Sequence, residues 1–240
     1  MDENRHRHPR CNGRIAPGPA TRQPGAAMTA PDLAERLAGP AALARRIEAL
    51  AVGRERFVVA IAGPPGCGKS TLASELGTRI TLPSCVVPMD GFHLDNRTLS
   101  ERGLLQSKGA PETFDVQGFS ELIAAIRRGD ASAFPTFDRD ADRVIADGGS
   151  IPADTRVLIF EGNYLLFDEP VWAELAGEWD ASVWIDVPDT VLENRLIQRW
   201  LGQGMARDAA RERAESNDMA NARRAQRQAL PPTWRVGPWA

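Results

Sequence analysis

The sequence predicts an α/β fold in which helices cover both faces of a mainly parallel sheet. Short runs of consecutive apolar residues occur along the chain, and stretches with helical spacing separate them. Such runs are typical of strands buried on both faces, and their alternation with helices is typical of a doubly wound sheet. The clearest runs are FVVAIAG (57–63), VLIF (157–160) and ASVWIDV (181–187).

The other elements follow from the spacing of apolar residues along the chain. Before the first strand, apolar residues recur at helical spacing on both sides of Gly39-Pro40, which predicts helices there. These residues are Leu33, Leu37, Ala41, Leu43, Ile47 and Leu50. The remaining predicted elements are a helix over TLASELGTRI (71–80), a short strand over CVVPM (85–89), an amphipathic helix over 118–128 and a helix over 190–201.

Residues 1–31 differ from the rest of the chain. They contain five Arg, two acidic residues and five Pro, but almost no large apolar side chains. A segment of this kind cannot bury enough surface to offset its ordering entropy. It therefore predicts a disordered tail, or an over-extended start with Met28 as the first residue, followed by a single domain over residues 32–240.

The composition argues against several classes of protein. The 29 basic and 32 acidic residues give a net charge of −3, which argues against a general nucleic-acid binder. No apolar run approaches the roughly 18–20 residues that a membrane span needs. The three cysteines, at positions 11, 67 and 85, have neither metal-like spacing nor an even number, which favours a reducing, cytoplasmic location. We therefore expect a cytoplasmic protein that binds neither nucleic acid nor membranes.

The segment GPPGCGKST (63–71) matches the phosphate-binding pattern G-x-x-x-x-G-K-[ST], with a predicted strand before it and a predicted helix after it. The glycines let backbone N–H groups point inward around a phosphate, and the helix N-terminus adds positive charge. In this pattern Lys69 reaches the β- and γ-phosphates and the Ser70 hydroxyl binds Mg²⁺. The predicted nucleotide-binding residues are Gly63, Pro64, Pro65, Gly66, Cys67, Gly68, Lys69, Ser70 and Thr71.

Two acidic residues follow predicted strands. Asp90 comes after the strand over 85–89, at the sheet edge where ligands bind, and there it can accept the proton of an attacking hydroxyl. Glu161 ends the run VLIF, which is typical of a carboxylate that holds Mg²⁺. His93 and Tyr164 are candidates for substrate contact, with a loop histidine and a packed core tyrosine as the alternatives. The guanine-binding pattern N-K-x-D does not occur in the sequence, which argues against a GTPase.

Four motifs together make the sequence resemble the phosphoribulokinase/uridine kinase family of P-loop kinases over about residues 55–221. They are GPPGCGKST (63–71), MDGFH (89–93), KGAPETFD (108–115) with FPTFDRDAD (134–142), and FEGNYLL (160–166). KGAPETFD is also similar to type I pantothenate kinases, and the chain resembles a bacterial subgroup described as nucleoside/nucleotide kinase-like or as fructose-transport kinases. The resemblance implies a three-layer P-loop NTPase sandwich with a helical lid at about residues 202–216.

The resemblance also implies a function, namely ATP-dependent phosphorylation of a hydroxyl group on a small molecule, with Mg²⁺ as cofactor, and it suggests a homodimer. It implies that Asp90 is the general base and that Arg195 and Arg199 contact the transferring phosphoryl group. Lys108, Asp138 and Arg139 would face the acceptor, which could be a sugar, a nucleoside or a pantothenate-like alcohol. Further lid arginines would be Arg207, Arg211 and Arg213.

The sequence departs from the family in two places. The lid lacks the aromatic-rich stretch by which pantothenate kinases hold their substrate, which weakens that assignment. The C-terminal segment RRAQRQALPPTWRVGPWA (223–240) shows no clear strand, although the family has one there that closes the sheet near the adenine. A nucleotide-binding regulator without turnover and a non-kinase ATPase or GTPase therefore stay open as alternatives. The presence of both Asp90 and Glu161 favours the kinase.

Overall fold

The computed structural model describes residues 34–238, which form a parallel sheet with helices on both faces and a separate hairpin. The strands are β1 (Glu35–Leu37), β2 (Phe57–Ala62), β3 (Ser84–Pro88), β4 (Ala133–Asp138), β5 (Arg143–Ser150), β6 (Val157–Gly162), β7 (Ala181–Ile185) and β8 (Trp234–Val236). The α-helices are α1 (Pro40–Ala51), α2 (Lys69–Arg79), α3 (Asn96–Glu101), α4 (Val116–Arg128), α5 (Asp189–Gly202), α6 (Arg207–Arg213) and α7 (Met219–Arg227). The predicted tail over residues 1–31 lies outside the described residues.

The six strands of the main sheet lie in the order β1-β8-β7-β2-β6-β3, and every adjacent pair is parallel. β2 is central in the sheet and lies between β6 and β7. The segment that connects β6 to β7 along the chain therefore crosses from one side of β2 to the other. Ile61 of β2 and Pro88 of β3 both pair with Glu161 of β6. The segments that follow β2 and β3 and the carboxylate of β6 therefore meet at the same carboxyl edge of the sheet, where open α/β folds bind their ligands.

The side chains of β2 explain the three-layer packing. Val59 and Ile61 belong to a buried cluster with α1, α2 and α5, whereas Val58 and Ala60 belong to a second cluster with α4 on the opposite face. All six residues of β2 are buried. The predicted α/β three-layer sandwich with a mainly parallel central sheet is confirmed, because successive strand residues point to opposite faces and both faces are covered.

The prediction for the segment before the first strand is wrong in part. Residues 35–37 form β1 rather than a helix, because they pair with β8 from the far end of the chain. The predicted helix after Gly39-Pro40 is confirmed as α1. Leu43 and Ile47 of this helix are buried, but Leu50 is exposed.

The prediction that the C-terminal segment lacks a strand is also wrong. Residues 234–236 form β8, which fills the position between β7 and β1. Trp234 and Val236 are buried and Arg235 between them is only half-buried. Three residues are too few for alternation to be recognised in a sequence, and the hydrogen bonds that define this strand come from remote partners.

The β4–β5 hairpin was not predicted as a separate element. β4 and the turn that follows it contain the motif FPTFDRDAD, and this turn holds Arg139 and Asp142. β4 packs against the 3₁₀ turn Met89–Phe92 that follows β3. The hairpin therefore carries part of the motif to the edge of the sheet where Asp90 lies. No helix within residues 34–238 is long and apolar enough to span a membrane.

Candidate active site

A cleft of about 820 Å³ lies at the carboxyl edge of the main sheet. This volume falls within the range of roughly 300–1,000 Å³ that is typical of small-molecule sites. Its walls come from the glycine-rich loop after β2, the turn after β3, the 105–114 segment, the β4–β5 turn and the helices α5 to α7. The predicted site residues that line it are Pro65, Gly66, Gly68, Lys69, Ser70, Thr71, Asp90, His93, Lys108, Arg139, Glu161, Arg195 and Arg199.

The loop between β2 and α2 has the geometry of a phosphate cradle. Gly66 and Gly68 adopt φ angles of +79° and +102°, a conformation that favours glycine because other residues carry a Cβ. Gly68 is the N-cap of α2, and no side chain caps the first N–H groups of this helix. Uncapped N–H groups at a helix N-terminus, together with the helix dipole, attract a phosphate.

Lys69 begins α2 and is almost fully buried at the floor of the cleft. Its Nζ donates a hydrogen bond to the Pro64 carbonyl at 3.1 Å and lies 3.8 Å from Cys67 Sγ. Cys67 is buried among apolar side chains, and burial raises the pKa of its thiol. The lysine amine is thus held inside the loop, within reach of a phosphate that the loop would bind, while Cys67 acts as packing.

Ser70 and Glu161 form the oxygen-donor pair expected of a Mg²⁺ site. The Ser70 hydroxyl donates to Glu161 Oε1 at 3.0 Å. Glu161 is nearly buried; burial raises the pKa of its carboxyl, and the charge of Lys69 opposes that rise. Mg²⁺ prefers hard oxygen ligands and usually binds one or two protein groups together with substrate phosphates. The donor set fits this ion, and residues 34–238 hold no cluster of three or more acidic, His or Cys side chains that could hold a metal on its own.

Asp90 lies in the 3₁₀ turn directly after β3, as the sequence predicts. Its Oδ2 accepts a hydrogen bond from the Arg139 guanidinium, and the two groups, which both line the cleft, form an ion pair. Within residues 34–238 no cation forms an ion pair with Oδ1. Arg139 therefore contacts the predicted base itself.

Lys108 is the second cation on this side of the cleft. Its Nζ donates to Asp142 Oδ1 and to Asn96 Oδ1, both at 2.7 Å, and lies 5.0 Å from the centroid of the Phe137 ring. Only 14% of the Lys108 side chain is exposed, whereas 53% of Asp142 is. Asp138, which was expected to face the acceptor, instead accepts backbone hydrogen bonds inside the hairpin turn.

His93 lies between two aromatic rings next to Asp90. Its ring centroid is 4.1 Å from Phe114, with an interplanar angle of 27°, and 4.9 Å from Phe137. Burial lowers the pKa of His93 to about 4, although the charge of Asp90 opposes this shift. The imidazole is therefore neutral at pH 7, and its buried Nδ1 has no hydrogen-bond partner among the described residues.

The structure does not bring Tyr164 to the cleft. The residue is fully buried in the cluster beneath the sheet, and its hydroxyl donates to the Gly109 carbonyl at 2.7 Å. Burial raises the pKa of the phenol well above its usual range. Tyr164 thus supports the 108–115 segment from behind, so the packed alternative applies and the substrate-contact prediction for this residue is wrong.

The two arginines predicted on α5 both line the cleft. Arg195 donates to the carbonyls of Gly66 and Cys67 at 3.3 and 3.2 Å, which ties α5 to the phosphate loop. Arg199 lies one turn further along, and its Cζ is 5.3 Å from the centroid of the Trp200 ring. Burial lowers the pKa of Arg199, and the like charge of Arg139 adds to this effect. An arginine nevertheless stays protonated at neutral pH.

The predicted lid corresponds to the loop after α5, the helix α6 and the start of a π-helical segment, Ala214–Asp218. Of its three arginines, Arg213 lines the cleft, whereas Arg207 and Arg211 are exposed and do not. The Arg213 guanidinium donates to the Gln106 carbonyl at 2.9 Å. This contact joins the lid to the segment on the acceptor side.

The residues that line the cleft but were not singled out from the sequence include Asp142, Asn163, Trp200 and Asp218. Asp142 and Asn163 lie inside motifs that carry the family resemblance, and Trp200 directly follows Arg199, so a closer inspection of these motifs could have found them. Asp218 had no signal in the sequence, because its position in the cleft depends on how the π-helical segment packs against α5.

The site has a phosphate cradle after the central strand β2, an acidic residue at the end of the neighbouring strand β6 and another acidic residue after β3. This is the arrangement of a P-loop kinase. The family comparison agrees with this class. The model of the "Phosphoribulokinase / Uridine kinase family" matches residues 58–221, which is more than half of the chain. The chain belongs to this family.

Two similar proteins support the assignment. The crystal structure of a "putative fructose transport system kinase" from Silicibacter sp. TM1040 is 47% identical to this chain, with a TM-score of 0.79, and covers 84% of this chain and 98% of its own. The "Putative uridine kinase C227.14" of Schizosaccharomyces pombe is 32% identical over 185 residues, which are 70% of this chain and 77% of that protein.

The predicted likeness to pantothenate kinases is also found. The pantothenate kinase of Yersinia pestis (strain Pestoides F) is 29% identical over 157 residues, which are 60% of this chain. The match spans only about half the length of that enzyme. This relative therefore supports membership of the family and does not identify the acceptor.

Proposed function

We propose that the protein transfers the γ-phosphoryl group of ATP to a hydroxyl group of a small molecule. The observation that carries this proposal is the shared cleft, because the phosphate loop and the Asp90 carboxylate line the same cavity. A protein that only binds a nucleotide has no need for a general base in the same cleft as the phosphate cradle. A kinase needs one there to accept the proton of the acceptor hydroxyl.

The chain's own residues supply the steps of this reaction. The loop N–H groups and Lys69 hold the β- and γ-phosphates, and Asp90 Oδ1 accepts the proton as the acceptor oxygen attacks phosphorus. The bond from phosphorus to that oxygen forms while the bond to the bridging oxygen of ADP breaks. Arg195 and Arg199, which line the same cleft, would neutralise the charge of the transferring group. Mg²⁺ held by Ser70 and Glu161 would supply further neutralisation of phosphate charge.

The alternative of a nucleotide-binding regulator without turnover has lost its main support. It was favoured by an apparently missing C-terminal strand, and β8 occupies that position in the sheet. The hydroxyl acceptor, the use of ATP and the homodimer stay predictions. The aromatic and charged walls of the acceptor side could accommodate a sugar, a nucleoside or a pantothenate-like alcohol.

An ADP-release assay with ATP, Mg²⁺ and a panel of acceptors tests the proposal. The panel contains fructose, uridine, ribulose 5-phosphate, glycerate and pantothenate. We expect ADP release to rise above the background hydrolysis rate with at least one of them. A rate that no acceptor changes would contradict the proposed function and favour the regulator.

The variant Asp90→Asn tests the role of the base. It should bind ATP with Mg²⁺ as the native protein does and lose phosphoryl transfer by about 10²-fold or more, since the amide cannot accept the proton. Asp95→Asn is the matched control, because Asp95 caps α3 and does not line the cleft, and Asn is an equally good N-cap. Near-native turnover of Asp90→Asn would remove Asp90 from the base role.

A further inference from the structure

Trp200 lies near the C-terminus of α5 and lines the cleft. Its indole Nε1 donates a hydrogen bond to Asp218 Oδ2 at 2.5 Å. Asp218 is buried at the end of the π-helical segment and also lines the cleft. A hydrogen bond from an indole N–H to a buried carboxylate is charge-assisted and therefore strong, so it holds the ring in one orientation.

Two arginine side chains lie against this one ring. The Cζ atoms of Arg199 and Arg213 are 5.3 and 5.5 Å from the ring centroid, within the distance of about 6 Å at which a guanidinium is attracted to an aromatic face. Among the described residues neither arginine forms an ion pair with a carboxylate. Arg213 has one hydrogen bond, to a backbone carbonyl.

The charge of Asp218 adds to the effect of the ring. Burial raises the pKa of the Asp218 carboxyl, and the Trp200 hydrogen bond and the charges of Arg199 and Arg213 oppose that rise. In its ionised form the carboxylate attracts both guanidinium groups, although neither of them forms an ion pair with it among the described residues. An arginine side chain is flexible, and a fixed aromatic surface next to a fixed negative charge restricts where its guanidinium can lie.

The π-helical segment provides the geometry for this contact. A π-helical turn inserts an extra residue into a helix and often occurs at functional sites. Within this one, Asp218 accepts from Trp200, and Asn217 Nδ2 donates to the Lys108 carbonyl at 3.2 Å. The segment thus joins the end of α5 to the acceptor-side segment that contains Lys108.

We propose that Trp200, hydrogen-bonded to Asp218, is a positioning residue that holds the guanidinium groups of Arg199 and Arg213 toward the γ-phosphate of the bound nucleotide. The inference rests on the proposed function, since it assumes that a triphosphate occupies the cradle. Trp200 touches the arginines and acts through them. Its loss should therefore affect a nucleotide with a γ-phosphate more than one without it.

Calorimetric titration with the non-hydrolysable ATP analogue AMP-PNP and with ADP, both with Mg²⁺, tests this proposal without any acceptor. Trp200→Leu should weaken AMP-PNP binding by about tenfold, as expected when a charge-assisted contact is lost. ADP binding should change by less than about twofold, because ADP lacks the γ-phosphate toward which the arginines are held. A merely structural role would weaken both nucleotides equally.

Trp179→Leu is the matched control. The Trp179 indole also donates a hydrogen bond, to the Leu165 carbonyl at 2.9 Å, but it packs in the cluster beneath the sheet and does not line the cleft. This variant should lower stability and leave the ratio of the two affinities unchanged. Trp200→Phe keeps an aromatic ring but has no N–H donor, so it should fold and show a smaller loss of AMP-PNP affinity than Trp200→Leu.

The outcomes separate this inference from the proposed function. If the native protein binds AMP-PNP but Trp200→Leu and Trp200→Phe keep the native ratio of affinities, the positioning role is wrong and the kinase proposal stands. If the native protein binds neither nucleotide, the proposed function fails and the inference fails with it. With an acceptor in hand, the loss in Trp200→Leu should appear in KM for ATP, with KM for the acceptor nearly unchanged.

Discussion

Gly91, directly after the predicted base, offers a sharp test of how the site is built. A Cβ added at this position would lie 2.0 Å from the carbonyl oxygen of Pro135 and 3.1 Å from the backbone nitrogen of Thr136. The close approach that glycine permits here is to β4 of the hairpin, and the space beside Gly91 is not open to a substrate. The substitution Gly91→Ala must therefore push the turn after β3 and the hairpin apart.

The size of the effect follows from this distance. Carbon and oxygen atoms in contact are normally about 3.3 Å apart, so the two backbone segments would have to separate by about 1.3 Å. Overpacking of this kind typically costs about 1–3 kcal/mol, and here neither side can yield by rotating a side chain. We expect the free energy of unfolding to fall by an amount at the upper end of this range, about 3 kcal/mol. For a chain of this size such a loss corresponds to a fall in Tm of about 6–12 °C.

Thermal unfolding followed by circular dichroism measures the effect, with Gly77→Ala as the matched control. A Cβ at Gly77, inside α2, would meet Val86 Cγ2 at an ordinary 3.7 Å, and alanine should raise stability there by about 0.5–1 kcal/mol. Gly91→Ala should also slow phosphoryl transfer, because the shift separates Asp90 from Arg139. A Tm for Gly91→Ala within about 2 °C of the native value, or equal to that of Gly77→Ala, would refute this account of the packing.

Two further predictions concern charge in the cleft. Glu161→Gln should raise the Mg²⁺ concentration for half-maximal ADP release by at least about tenfold, because the second oxygen donor beside Ser70 loses its charge; an unchanged requirement would remove Glu161 from the metal site. Since burial lowers the pKa of His93 from 6.5 to about 4, the unfolded chain binds the proton more readily than the folded one in this interval, so stability falls as the pH falls. Between pH 7 and pH 5 the preferential protonation of His93 in the unfolded chain should lower the free energy of unfolding by about 2 kcal/mol. The variant His93→Phe keeps the ring stack but has no group that titrates, so urea titrations should show a smaller loss of stability over that pH range than in the native protein. An equal loss of stability in both proteins would contradict the role of His93 in this pH dependence.

The sequence predicted most of the fold because the signals involved are local. The buried strands β2, β6 and β7 are runs of consecutive apolar residues, and the helices α2, α4 and α5 have the helical period, so neighbours along the chain suffice to recognise them. The phosphate loop was recognised for the same reason, since its glycines, Lys69 and Ser70 are consecutive. The position of Asp90 and Glu161 followed from one further rule, that parallel strands end at one edge of the sheet.

The tertiary structure decided what depends on partners that are remote in sequence. β1 and β8 are three residues each. β1 forms because it pairs with β8, about 200 positions away, and β8 also pairs with β7, which no local pattern reveals. The residues next to Tyr164 in the sequence are compatible with a position in the cleft or in the core. Its hydrogen bond to the Gly109 carbonyl and its full burial place it in the core. The ion pair of Asp90 with Arg139 and the contact of Trp200 with Asp218 likewise require the hairpin and the π-helical segment to lie against the sheet edge. The sequence by itself determined the chemistry of the phosphate end of this site, because consecutive residues build it, whereas the acceptor side and the placement of the lid arginines depend on the packing of separate elements.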